Sequence, residues 1–152
     1  MFQTIYPQLA VQLLLFSGAA AVLWSSILGV FMMIPHLNIS AVTNATKWIN
    51  FRQLLSAHLD WIMLAFMQGL AALMILAFDL SAPLWVVVGM IYGGWMNAFP
   101  YFLRAFGINA FVYGGGAIQK IANVLGSISV LVLICCWAAL IMMSYEPLRA
   151  QF

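Results

Sequence analysis

Apolar residues fall into four long runs along the chain, with polar residues gathered between them. The first covers 8–34 (QLAVQLLLFSGAAAVLWSSILGVFMMI) and stops at Pro35. The second covers 53–78, the third 82–106 (APLWVVVGMIYGGWMNAFPYFLRAF) and the fourth 121–145 (IANVLGSISVLVLICCWAALIMMSY). A helix needs about 20 residues to cross a hydrocarbon core, and every run is long enough. None shows the strict apolar–polar alternation of a barrel strand, so the pattern predicts helices, which satisfy their own backbone groups in lipid. The expectation is an all-α fold: an integral membrane bundle of four transmembrane helices, one domain over 1–152. The start, MFQTIYPQ, lacks the basic flank of a cleavable signal peptide, and none is expected.

Composition gives the same answer. Of 152 residues, 66% are hydrophobic and 5% charged, with a mean hydropathy of +1.09, which excludes a soluble domain. The basic residues are Lys47, Arg52, Arg104, Lys120 and Arg149; the acidic ones are Asp60, Asp79 and Glu146. Four of the five cations flank the loops 35–52 and 107–120. The positive-inside rule therefore predicts cytoplasmic loops there and outward termini, in an inner or plasma membrane. The net charge of +2 reads as a topology signal, with the lipid bilayer as partner and no nucleic acid. The sequons at Asn38 and Asn44 then lie on the cytoplasmic side, where they carry no meaning. Cys135 and Cys136 are neighbours about 100° apart on a helix, poorly placed to bridge each other, and read as packing residues.

Polar residues inside a span are expensive, and they direct attention to LLSAHLDWIMLAF in the second run. His58 and Asp60 are two residues apart, about 200° around a helix, so they cannot form a simple pair. On the third span Asn97, Tyr101 and Arg104 fall at i, i+4 and i+7, one polar stripe that Gly94 continues. Tyr101 lies at about the depth of His58. The expectation is a polar pocket holding His58, Asn97 and Tyr101, with room for a flat guest beside Gly93 and Gly94. Asp60 is expected to face elsewhere, toward a neighbouring subunit or Arg104. Three roles fit His58: a neutral histidine bonded to a backbone carbonyl or Tyr101, a metal or haem ligand, or a proton relay. The spans hold no zinc-like cluster, which needs three or four ligands, whereas haem iron needs only one from the protein.

A short AH element on the second span and GGWMNAFPYFLRAFG on the third, in a small four-span chain, together resemble the styrene oxide isomerase family. That family's Gly-Trp-x-Asn element, with Tyr four residues later, matches Gly94, Trp95, Asn97 and Tyr101. The resemblance implies haem b bound by His58 as the axial iron ligand, with Gly94 beside the cofactor. It implies conversion of a small hydrophobic aryl epoxide to an aldehyde, with ferric haem as Lewis acid. Tyr101 would orient the substrate or hydrogen-bond its oxygen, Asn97 would support the pocket, and Asp60 stands either as a relocated carboxylate or as unrelated to the family's acid. A homotrimer with haem near the subunit contacts is also implied. The family's Asn-Gly pair after the histidine is replaced by Leu64-Ala65, with Gln68-Gly69 one turn on, and Gly93 stands where the family has an acid. Two alternatives remain: a hydroxylaminobenzene-mutase-like isomerase, or a non-enzyme, either a b-type haem carrier or a small transporter. His36 approaching the iron opposite His58 would favour the carrier.

Overall fold

A computed structural model describes residues 6–37 and 44–150; Asn38 and its sequon lie outside them. The element order is α1 (Pro7–Met33), a 3-10 turn (Ile34–Leu37), α2 (Phe51–Ala77), α3 (Leu84–Met96), α4 (Phe99–Ala105) and α5 (Ala117–Arg149). Taking α3 and α4 together, four helical stretches are long and apolar enough to cross a bilayer. The chain is an all-α four-helix bundle and a multi-pass membrane protein.

Local chemistry sets the ends of these helices. Pro35 falls in the 3-10 turn that closes α1. Asn50 caps α2, its side chain accepting from the Gln53 backbone N–H at 3.2 Å. At the other end of α2, Asp79 takes a left-handed φ of 47°, while the Leu80 N–H reaches the Ile75 carbonyl at 2.9 Å. That pairing is the Schellman closure, which satisfies carbonyls that a helix end leaves free. The fourth span is longer than the sequence predicts, because α5 runs from Ala117 through Pro147 to Arg149.

The third span differs from the single helix expected. Pro100 has no N–H to offer the carbonyl four residues earlier, and the helix breaks at Asn97–Ala98 before resuming as α4. Close to this break the Trp61 indole donates to the Trp95 carbonyl at 3.1 Å. Membrane helices tolerate proline when neighbouring groups bond the backbone it frees. Trp61 is 2% exposed and also anchors an aromatic cluster, its ring 6.0 Å from Trp24, 6.5 Å from Trp95 and 5.7 Å from Phe102.

Small residues let the helices approach closely, the usual basis of packing in lipid. On α1, a Cβ at Gly18 would lie 3.1 Å from the Ala65 carbonyl oxygen of α2. Between α3 and α5, Gly89 receives the Cys136 sulfur and Gly93 receives Leu133. Both cysteines are free thiols, Cys135 exposed and Cys136 buried. The start of α2 is tied to the end of α4 by the Asn50 N–H to Ala105 carbonyl bond of 2.8 Å. The two loop-bearing ends with the basic residues therefore lie side by side.

Replacing Trp61 by Phe keeps most of the ring but leaves the Trp95 carbonyl without this donor. The expected cost is about 1–3 kcal/mol, read as a lower unfolding temperature in detergent; an unchanged temperature would show that the indole bond does not hold the break.

Candidate functional site

Helix α2 presents His58 and Asp60 to opposite sides. His58 faces α1. Its Nδ1 lies 2.7 Å from the Ser25 carbonyl oxygen and 2.8 Å from the Ser25 hydroxyl. That hydroxyl in turn donates to the His58 carbonyl at 2.7 Å. A carbonyl only accepts, so the hydrogen sits on Nδ1, and the serine's one hydrogen is already given to the backbone of His58. In the neutral ring this leaves Nε2 bare, with its lone pair free. Gly29 supports the other edge of the ring, since a Cβ there would lie 3.2 Å from Cε1.

His58 is only half-buried, and the face around it is apolar. One helical turn either way on α2 are Leu55, 46% exposed, and Ile62, half-buried; Leu59 and Phe66 continue the exposed surface. Val22 of α1 is also exposed. An imidazole with its Nδ1–H tied to a backbone carbonyl is the usual preparation of a single-histidine metal ligand. The surrounding surface suits a flat hydrophobic group, so the donor set fits a haem with one axial ligand. Among the described residues, no three His, Cys, Asp or Glu side chains come together as a metal cluster. His36 lines a different, apolar cavity of about 460 Å³ with Pro35, Phe51 and Leu55, and His58 is not among its walls.

Asp60 opens into a cavity of about 390 Å³ on the other flank of α2. Asn97, at the helix break, and Tyr101, on α4, line it, together with Asn123 and Ser127 of α5. The segment after α4 forms its rim. The Asn123 Nδ2 donates to the Ala110 carbonyl at 2.8 Å, and Gln119 Nε2 donates to the Asn109 carbonyl at 2.7 Å. These bonds hold Phe111 beside Tyr101, ring centroids 4.8 Å apart. Arg104 is 5.6 Å from the Phe111 ring centre and does not line the cavity. The Oδ1 of Asn123 is buried and has no hydrogen-bond partner.

The structure corrects the sequence-based pocket in two ways. Asn97 and Tyr101 share their cavity with Asp60, not with His58. The reason is that the α1 contact at Ser25 and Gly29 draws His58 to one side, while Trp61 and its aromatic neighbours fill the interior between. Gly94 does not leave room for a guest either. The Gln68 side chain occupies that space, so that a Cβ at Gly94 would collide with its amide. Gln68 is 1% exposed, and both its amide atoms are buried without a partner. Asn123 and Ser127 are not among the residues expected from the sequence, although their i, i+4 spacing around Gly126 on the last span was the signal available.

An unpaired buried amide is costly, so Gln68→Met, a chain of similar length, is expected to raise stability by about 1 kcal/mol or more. Thermal unfolding in detergent checks this, and a destabilised variant would mean that the amide makes a bond essential to the bundle. A scan against protein-family models and searches of curated proteins and of solved structures find no match to this chain, so the functional reading rests on the two flanks of α2.

Proposed function

We propose that the protein is a membrane-embedded, haem b-dependent isomerase that opens an aryl epoxide and rearranges it to an aldehyde. The observation that carries this reading is the His58 ring, with Nδ1 committed to the Ser25 carbonyl and Nε2 free on an apolar, half-open face. His58 would hold the iron, with Ser25 and Gly29 fixing the ring's tautomer and tilt. Ferric haem supplies a Lewis-acid face at which an epoxide oxygen is polarised.

The residues of the second flank suit the rest of the task. Tyr101 carries a phenol that can donate to the substrate oxygen as the C–O bond opens. Its ring and that of Phe111 offer faces for the aryl group. Asn97 projects into the same cavity beside Asp60. The rearrangement moves a hydride within the substrate, so atoms and electrons balance with no external reductant. In one chain the histidine and this cavity lie on opposite flanks of α2. The reading therefore has His58 of one copy and the cavity of a second copy enclosing one substrate, in keeping with a homotrimer. Lys47, Arg52, Arg104 and Lys120 gather at one end of the bundle, which this reading places on the cytoplasmic side of the inner membrane.

Purified protein expressed with ample haem should show a Soret band that His58→Ala removes; absence of the band from the wild type ends the haem assignment. Tyr101→Phe should retain the band and lower kcat by about a hundredfold. Aryl epoxides should give aldehydes without added nucleotide, and a strict need for NAD(P)H would exclude the mechanism. Co-expressing the His58→Ala and Tyr101→Phe chains should restore part of the lost activity, because mixed assemblies contain some sites with both residues intact. No recovery would place the whole site within one chain.

A further inference from the structure

The cavity beside Asp60 has a chemical bias that epoxide binding does not require. Its one carboxylate is that of Asp60; the Asn97 amide and the Tyr101, Tyr113 and Ser127 hydroxyls can each accept as well as donate, and Asn123 adds an amide whose Oδ1 is buried in the wall. The Asn123 amide nitrogen is already spent on the Ala110 carbonyl, which leaves that oxygen as the unmatched atom. Asn123 is 5% exposed, so its oxygen has no access to bulk water in compensation. Among the described residues, no Lys, Arg or His side chain lines the cavity. Among the described residues Asp60 has no hydrogen bond and no ion pair. A positive charge beside it favours a carboxylate at this level of an apolar bundle; among the described residues no cation lines the cavity, and Arg104 lies outside it against the Phe111 ring, 5.6 Å from its centre.

The remaining walls are the other half of a cation site. Tyr101 and Phe111 present two rings inclined at 57°, with Tyr113 beside them on the rim. Aromatic faces attract a cation, most strongly where water is excluded. At about 390 Å³ the space takes a small molecule rather than a bare ion.

We propose that this cavity binds a small organic cation, a protonated primary amine carrying an aryl body. Asp60 is its counter-ion, the Asn97 amide oxygen accepts a further N–H, and Tyr101 and Phe111 cover its apolar part. The site is the cavity to which the isomerase reading assigns the substrate, but the inference is read by binding without turnover, so either can fail alone. If both hold, the same carboxylate and rings favour positive charge growing on the substrate carbon as the epoxide opens.

The test is calorimetric titration of the purified full chain in detergent with 2-phenylethylammonium and with its neutral counterpart, 2-phenylethanol. The ammonium should bind about tenfold to a hundredfold more tightly, the worth of a hydrogen bond to a charged group. Asp60→Asn, nearly isosteric, should abolish that preference. Phe111→Leu, at an exposed position that spares the fold, should weaken the ammonium more than the alcohol. Equal affinities in the wild type, no binding of the ammonium, or a preference that survives Asp60→Asn each overturn the proposal. Should the Asp60 variant fail to fold, the wild-type comparison and the Phe111 variant still decide it.

Discussion

An α-helix turns about 100° per residue, and on α2 that rotation separates the His58 and Asp60 side chains. Everything at the candidate site follows from how the bundle receives them. Helix α1 packs along one flank and takes His58 against Ser25 and Gly29. The gap between α2 and α5, rimmed by the segment after α4, takes Asp60. Trp61 lies between the two flanks, filling the interior with its own ring and those of Trp24, Trp95 and Phe102. One helix thus serves two environments that do not communicate within a single chain. One is an apolar surface around a half-buried imidazole; the other is an open cavity with a carboxylate and aromatic walls.

The break in the third span is what gives the cavity its contents. A continuous helix would carry Asn97, Tyr101 and Arg104 on one straight stripe. The interruption before Pro100 lets α4 set its own direction, and Asn97 then stands at the corner while Tyr101 follows on the short helix. Arg104 lies over Phe111, and among the described residues no cation lines the cavity that holds the carboxylate. The Trp61–Trp95 bond links this corner to the same helix that presents His58 and Asp60.

The four spans were legible in the sequence because lipid imposes one rule on length and hydropathy, and that rule acts on long runs rather than on single residues. The opposite directions of His58 and Asp60 followed from helical rotation alone. Which of them meets Tyr101 did not, because that depends on how α2 is rolled against α1, and the sequence carries no direct record of the roll. Gly94 misled for a related reason. A missing side chain marks a close approach, and here the approaching group is Gln68 from the next helix rather than a guest. The helix break went unread because Pro100 sits inside an apolar run, where hydropathy does not register a missing N–H. Asn123 was overlooked because a single amide in a strongly apolar span has no partner in the sequence; its significance comes from Ala110 and the segment folded over it.

The proposed function depends most directly on the state of the His58 ring, since a bare Nε2 is what would allow this residue to hold iron from one side. Nitrogen-15 NMR of histidine-labelled protein prepared without haem reports which ring nitrogen carries the hydrogen, and a His36→Gln variant assigns the His58 signals. The account predicts a hydrogen on Nδ1 and a lone pair on Nε2. A neutral ring protonated on Nε2 would contradict it, because that ring could neither donate to the Ser25 carbonyl nor offer the unbonded nitrogen on which the haem reading rests.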